Sequence, residues 1–114
     1  MSRKVRTFNE FDRRLKRLQK KFRTLKGELT KLGEELVEST QRPGSNMGNG
    51  LYKIRLGSAS KGGGKRGGFR VITYYVEQTP DGEVVYLVTI YDKSEEANIL
   101  KTDLLNTVKQ ELEQ

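Results

Sequence analysis

The chain contains no cysteine, no histidine and no tryptophan, and only two prolines among its 114 residues. Without cysteine there is no disulfide framework and no thiolate nucleophile. Without histidine as well, the usual zinc ligands are missing, and so is the side chain that most often moves protons near neutral pH. Any chemistry therefore falls to Lys, Arg, Tyr, Asp or Glu. No apolar run approaches the roughly 18–20 residues that a membrane helix needs. The opening MSRKVRTFNEF carries bases with no apolar stretch behind them, so no secretory signal is expected. These absences predict a cytoplasmic protein that uses no metal, no cofactor and no membrane.

What the chain does have is positive charge, unevenly placed. The net charge is +7. Residues 1–26 hold eleven bases and two acids, residues 27–50 two and four, residues 51–76 six and none, and residues 77–114 three and nine. Two basic blocks and an acidic final third describe a polarised molecule that steers an anionic partner to one side. The densest statement is Leu51 to Val76, where Lys53, Arg55, Lys61, Lys65, Arg66 and Arg70 have no acid among them. A domain with that segment is expected to hold a polyanion.

A length of 114 residues predicts a single domain, 1–114, with one modest core. Val5 is read as part of a short first strand. From Phe8 the apolar residues fall at positions 8, 11, 15, 18, 22, 25, 29, 32 and 36, alternating steps of three and four, the helix period. One straight helix of that span would be about 43 Å long at about 1.5 Å per residue, too long for so small a domain to cover. The expectation is a helical hairpin broken near Arg23-Thr24, with Thr24 as N-cap. The polar face of the first helix includes Arg13, Arg17 and Lys20, either a solvated face or a set of phosphate contacts. Ser39 to Gly50 reads as a loop. Strands follow at Leu51–Leu56, Phe69–Glu77 and Val84–Asp92, rich in Val, Ile, Tyr and Thr. Thr79-Pro80-Asp81-Gly82 is a hairpin turn signal. Ser94, helped by Glu96, is expected to cap a last helix carrying Leu100, Leu104, Leu105, Val108 and Leu112. The fold class is α+β: a small antiparallel-rich sheet packed against an N-terminal helical hairpin, with a short C-terminal helix.

The glycines of residues 61–68 do not make a nucleotide-phosphate loop. Gly64-Lys65 is followed by Arg66, not Ser or Thr, and a strand rather than a helix comes next. What remains is a basic constellation. Lys53 and Arg55 are two apart on a strand and share a face. Arg70 enters the next strand from the far end of the loop, and Tyr91 and Lys93 end the third. Such a cluster suits an RNA phosphodiester: guanidinium forks grip nonbridging oxygens and meet the extra charge of a pentavalent transition state. A lysine crowded by other cations becomes a better base for a 2′-hydroxyl proton. The same residues also suit plain phosphate binding without chemistry.

Leu-Tyr-Lys-Ile-Arg-Leu at 51–56, Lys-Gly-Gly-Gly-Lys-Arg-Gly-Gly at 61–68, Phe-Arg-Val-Ile-Thr-Tyr-Tyr at 69–75 and Tyr-Leu-Val-Thr-Ile-Tyr-Asp-Lys-Ser-Glu at 86–95 resemble the RelE/ParE superfamily of bacterial toxins, most of all its HigB branch. The resemblance implies a RelE-like fold and the toxin half of a type II toxin–antitoxin system. It implies a metal-independent endoribonuclease, an mRNA interferase that cleaves mRNA in the ribosomal A site by 2′-hydroxyl attack. The partners it implies are the ribosome, mRNA and a cognate antitoxin of helix-turn-helix type. Lys53, Arg55, Arg70 and Lys93 match basic positions of the family site. Ile99 falls near a tyrosine that RelE uses in catalysis, with Tyr91 as a substitute. Lys61, Lys65, Arg66, Arg13, Arg17 and Lys20 would then dock ribosomal RNA. The alternatives are a ParE-like, non-catalytic inhibitor of DNA gyrase and a ribosome- or RNA-binding module without cleavage.

Overall fold

The computed structural model describes residues 2–62, 67–78, 82–95 and 99–113. Five strands and three helices follow in the order β1 (Ser2–Thr7), α1 (Asn9–Lys21), α2 (Leu25–Glu38), β2 (Ser45–Gly48), β3 (Leu51–Leu56), β4 (Phe69–Gln78), β5 (Gly82–Asp92) and α3 (Lys101–Leu112). The strands form one sheet in the order β1-β5-β4-β3-β2. β1 runs parallel to β5 and every other pair is antiparallel. The protein is thus α+β, with a helical hairpin at its N-terminus and a short helix at its C-terminus.

The hairpin breaks where length demands it. An unbroken helix from Phe8 to Leu36 would run about 43 Å at about 1.5 Å per residue, longer than the 41 Å greatest extent of the molecule. Phe22 leaves helical geometry at φ −118° and ψ 97°, and α2 starts at Leu25. Phe11, Leu18, Phe22, Leu25, Leu29, Leu32 and Leu36 are all buried against Ile54, Phe69, Val71, Tyr75, Val85, Leu87 and Ile90 of the sheet. Thr24 takes the N-cap position, but its side chain caps nothing. Its hydroxyl lies 2.6 Å from that of Ser60 and accepts the Ser60 amide, tying the hairpin corner to the segment after β3.

The opposite sheet face carries a second core. Phe8, Leu51, Ile72, Val88 and Tyr91 pack there with Leu104 and Val108 of α3. β4 and β5 are apolar on both faces because both are covered. A bulge in the β4–β5 ladder, between Ile72 and Thr73, lets β5 insert one extra residue.

Two expectations change. Residues 45–48, read as loop, form β2, because Gly48, Asn49 and Gly50 all take left-handed φ (88°, 57° and 83°) and turn the chain back onto β3. Ser94 does not cap the last helix. Its amide and hydroxyl both donate to Asp92, and the helix begins at Lys101 with Leu100 before it. The hairpin turn at residues 79–81 and the helper Glu96 lie outside the described residues. Gly68 closes the β3–β4 pairing: a Cβ there would sit 2.1 Å from the Leu56 carbonyl oxygen.

Long-range polar contacts pin the layers together. Arg3 on β1 donates to the Leu36 and Ser39 carbonyls at 2.8 Å each, satisfying the end of α2. Glu83 on β5 holds Arg3 and Arg42, each at 2.7 Å. Burial raises the Glu83 pKa, but the hydrogen bonds from Arg42 and Arg3 outweigh it and hold the carboxyl below its ordinary value. The Glu111 carboxylate of α3 accepts the Asn9 amide at the start of α1.

Candidate functional site

Strand register assembles the basic constellation. Arg55 on β3 sits directly opposite Arg70 on β4, and Arg70 sits directly opposite Tyr91 on β5. Opposed residues in an antiparallel sheet lie about 4.5–5.5 Å apart at Cα and project from the same face, so the three form one row across three strands. Lys53, two residues before Arg55, shares that face. Lys93 follows the end of β5 and its amide donates to the Gly68 carbonyl at 3.1 Å.

This row borders a cleft of about 1050 Å³. Lys53, Arg55, Arg70, Tyr91 and Lys93 line it from the sheet, and Glu28, Lys31 and Glu35 line it from α2. β2 pairs with β3 only as far as Lys53, so among the described residues no strand covers the edge at Ile54 to Leu56. The cleft lies at that open edge. Its lining holds five bases and two carboxylates. The Glu28 carboxylate is already engaged, accepting from the Ala59 amide at 2.8 Å and the Thr24 hydroxyl at 3.1 Å. Burial raises its pKa, and hydrogen bonds from Ser58, the Ala59 amide and Thr24 bring it below the usual carboxylate range.

The members differ in freedom. Arg55 is exposed, and Lys53 and Lys93 are half-buried. Arg70 is 5% exposed and donates to the Phe69 carbonyl at 3.1 Å; Tyr91 is 2% exposed. The two buried members form the rigid base of the row, and the lysines with Arg55 form its accessible rim. Rigid placement of a guanidinium suits bidentate capture of an oxyanion, because little side-chain freedom remains to be lost.

The structure places Lys61 elsewhere. Its ammonium donates to Asp92 and lies 5.4 Å and 5.9 Å from the ring centroids of Phe69 and Phe22. The side chains are 11% and 3% exposed, respectively, for Lys61 and Asp92. This is an internal ion pair on the hairpin side of the sheet. The lysine read as an RNA-docking base is turned into the fold. Lys65 and Arg66 lie outside the described residues. Arg13, Arg17 and Lys20 are exposed on α1 and do not line the cleft; Arg13 pairs with Glu10 at 3.3 Å and Arg17 with Glu95 at 3.8 Å. Ile99 packs beside the core under α3.

Sequence reasoning missed the α2 wall. Glu28, Lys31 and Glu35 stand at i, i+3 and i+7, the spacing of one helix face flanking the buried Leu32 stripe. That spacing was the available signal. Among the described residues no three acidic side chains converge as a metal site would need, and no helix is long and apolar enough to cross a membrane. No family model matches the chain.

Proposed function

We propose that this protein is the toxin of a type II toxin–antitoxin pair in a bacterial cytoplasm, a RelE-like endoribonuclease that cuts mRNA on the ribosome. The observation that carries the reading is the cross-strand row Arg55–Arg70–Tyr91, flanked by Lys53 and Lys93 at an open cleft. Two arginines directly opposite each other repel, by about 0.2–1 kcal/mol in a sheet. A bound phosphodiester turns that repulsion into shared attraction.

In the proposed reaction Arg55 and Arg70 hold the nonbridging oxygens and meet the charge of the phosphorane. The 2′-oxygen forms a bond to phosphorus as its proton passes to a neighbouring base. The bond from phosphorus to the 5′-oxygen breaks, and that oxygen takes up a proton. The products are a 2′,3′-cyclic phosphate and a 5′-hydroxyl. In this reading Lys53 and Lys93 move these protons. The ribosome and mRNA would be the working partners, and a cognate antitoxin would occupy the cleft or its approaches.

The test is a translating extract supplied with the protein. In-frame mRNA cuts ending in cyclic phosphate are expected, with Arg70→Ala lowering the cutting rate by roughly 100-fold or more, as loss of a transition-state donor does. Intact mRNA in the presence of folded protein would sink the proposal. One observation favours a second reading. Ile99 packs against the core and Tyr91 is buried, so no exposed tyrosine stands at either position for proton transfer. A non-catalytic inhibitor of DNA gyrase, or an RNA-binding module, needs no proton transfer. Gyrase-linked DNA breaks with untouched mRNA would select the former, and RNA binding without growth arrest the latter.

A further inference from the structure

Asp92 is the one acid at the end of β5, directly opposite Phe69 and beside two members of the basic site. One of its oxygens, Oδ1, accepts three hydrogen bonds: from the Lys61 ammonium, from the Ser94 amide at 2.9 Å and from the Ser94 hydroxyl at 2.8 Å. Its carbonyl accepts the Glu95 amide at 3.0 Å. The last bond closes a four-residue turn over Asp92-Lys93-Ser94-Glu95, and the side-chain bond to Ser94 makes it an Asx-turn as well. Lys93 is the first residue inside that turn. Strand alternation points Asp92 toward the helical hairpin and its neighbours the other way, so Tyr91 and Lys93 line the cleft while Asp92 does not.

We infer that Asp92 is a positioning residue: anchored by Lys61 beneath the sheet, its Oδ1 folds the turn that delivers Lys93 to the cleft. The inference rests on the functional reading for the role of Lys93 and on geometry for the turn itself. Lys61 supplies what a surface Asx-turn lacks. It fixes the carboxylate from a buried side, between the Phe22 and Phe69 rings, so the turn cannot drift with solvent. The root of the glycine-rich loop thereby sets the last base of the site.

The test separates the acceptor atom from the charge. Asp92→Asn keeps an oxygen for Ser94 and Lys61 but loses the charge, whereas Asp92→Ala loses both. Binding of a short single-stranded 2′-O-methyl RNA, which lacks the attacking hydroxyl, is titrated between roughly 50 and 200 mM salt. Lys93→Ala should lower the salt slope by about 0.7, which is about fourfold in affinity near 0.15 M salt. Asp92→Ala should reproduce that loss, and the double variant Asp92→Ala/Lys93→Ala should bind no worse than either single one. Asp92→Asn should bind like the parent even though it is less stable, a rescue that a purely structural role does not give. Effects that multiply in the double variant, or parental affinity in Asp92→Ala, would overturn the inference. Amide exchange supplies the second readout. In Ser94→Ala, a mild change that removes the hydroxyl bond to Asp92 and leaves the ion pair in place, the Glu95 amide, which closes the turn on the Asp92 carbonyl, should exchange faster while β4 and β5 amides hold; unchanged Glu95 protection would overturn the turn's role even if Asp92→Ala fails to fold. A parent chain with no RNA affinity at low salt, combined with an opened turn in Ser94→Ala, would overturn the proposed function and leave the turn assignment standing.

Discussion

Replacing Lys61 by Met tests the reassignment of that residue from docking base to internal anchor. The methionine keeps an unbranched stem over the Phe22 and Phe69 rings, and its sulfur retains favourable ring contacts, so packing is largely conserved. What is lost is the charge opposite Asp92, whose side chain is only 3% exposed. Removing one partner of a buried pair costs about 3–5 kcal/mol. Asp92 keeps both bonds from Ser94, which places the expected cost at the lower end, about 3 kcal/mol. At about 4 °C per kcal/mol for a domain near this size, the melting temperature should fall by about 12 °C. The assay is urea unfolding followed by circular dichroism across pH. Burial raises the Asp92 pKa, but the bonds from Lys61 and Ser94 prevail and hold it below its ordinary value. A carboxyl with a depressed folded-state pKa contributes stability above its unfolded value, about 3.9, and loses it as pH falls through the folded value. The gap between parent and Lys61→Met should therefore be full at pH 7 and shrink in acid. In the variant the uncompensated carboxyl protonates earlier than in the parent, so the gap begins to close at a higher pH than the parent's own loss of stability. Parental stability in Lys61→Met at pH 7, within about 0.5 kcal/mol, together with weakened RNA binding would refute the anchor and restore the docking role.

Four further outcomes follow from the same contacts. Gly68→Ala should lower stability by about 2–4 kcal/mol, because its Cβ meets the Leu56 carbonyl at 2.1 Å; an unchanged urea midpoint would contradict that close approach. Glu83→Gln should cost about 3 kcal/mol and raise amide exchange in the last turn of α2, whose carbonyls Arg3 holds. Unaltered exchange there would show that Arg3 needs no partner on β5. Glu28, Glu83 and Asp92 all have lowered pKa values, so stability should be level above about pH 5 and fall steeply through pH 4, where the unfolded carboxyls near 3.9–4.3 take up protons; an acid unfolding curve flat to pH 3 would refute this. Arg55→Gln should stabilise the ligand-free protein by about 0.2–1 kcal/mol by removing a like charge opposite Arg70, while weakening RNA binding; a variant less stable than the parent would remove the repulsion argument.

The parts of this molecule that local rules control were legible in the chain. Steps of three and four gave the helical hairpin, and the length of the pattern demanded a break, expected near Arg23-Thr24 and found between Lys21 and Leu25. Alternation on β3 put Lys53 and Arg55 on one face without any knowledge of partners. The row through Arg70 and Tyr91 needed register as well, and register follows from the tight β3–β4 closure at Gly68 rather than from alternation. Lys61 was illegible for a different reason. A lysine beside three glycines reads as solvent-exposed, and its burial depends on Asp92, 31 residues away in the sequence. β2 was hidden by its own turn, since Gly48-Asn49-Gly50 reads as loop composition before it reads as a reversal. Ser94 offered two uses for one hydroxyl, a helix cap or an Asx-turn, and Asp92 two residues earlier decides between them.

One strand period accounts for both charge arrangements at this end of the sheet. On β4, Phe69 faces the hairpin and Arg70 the cleft; on β5, Asp92 faces the hairpin and Tyr91 the cleft. The hairpin side thus receives an acid that a lysine neutralises, within a ring of aromatic surface, and the other side receives arginines set against each other. Arg55 and Arg70 face each other across the ladder, where like charges repel, so the fold gains no stability from that pairing itself. It does gain from a firmly anchored end to β5 if that end must carry Lys93 at a fixed distance from the row. The neutralised pair and the concentrated cations are therefore two halves of one arrangement. The buried pair anchors the end of β5, and the strand register sets the cations opposite one another on the other face.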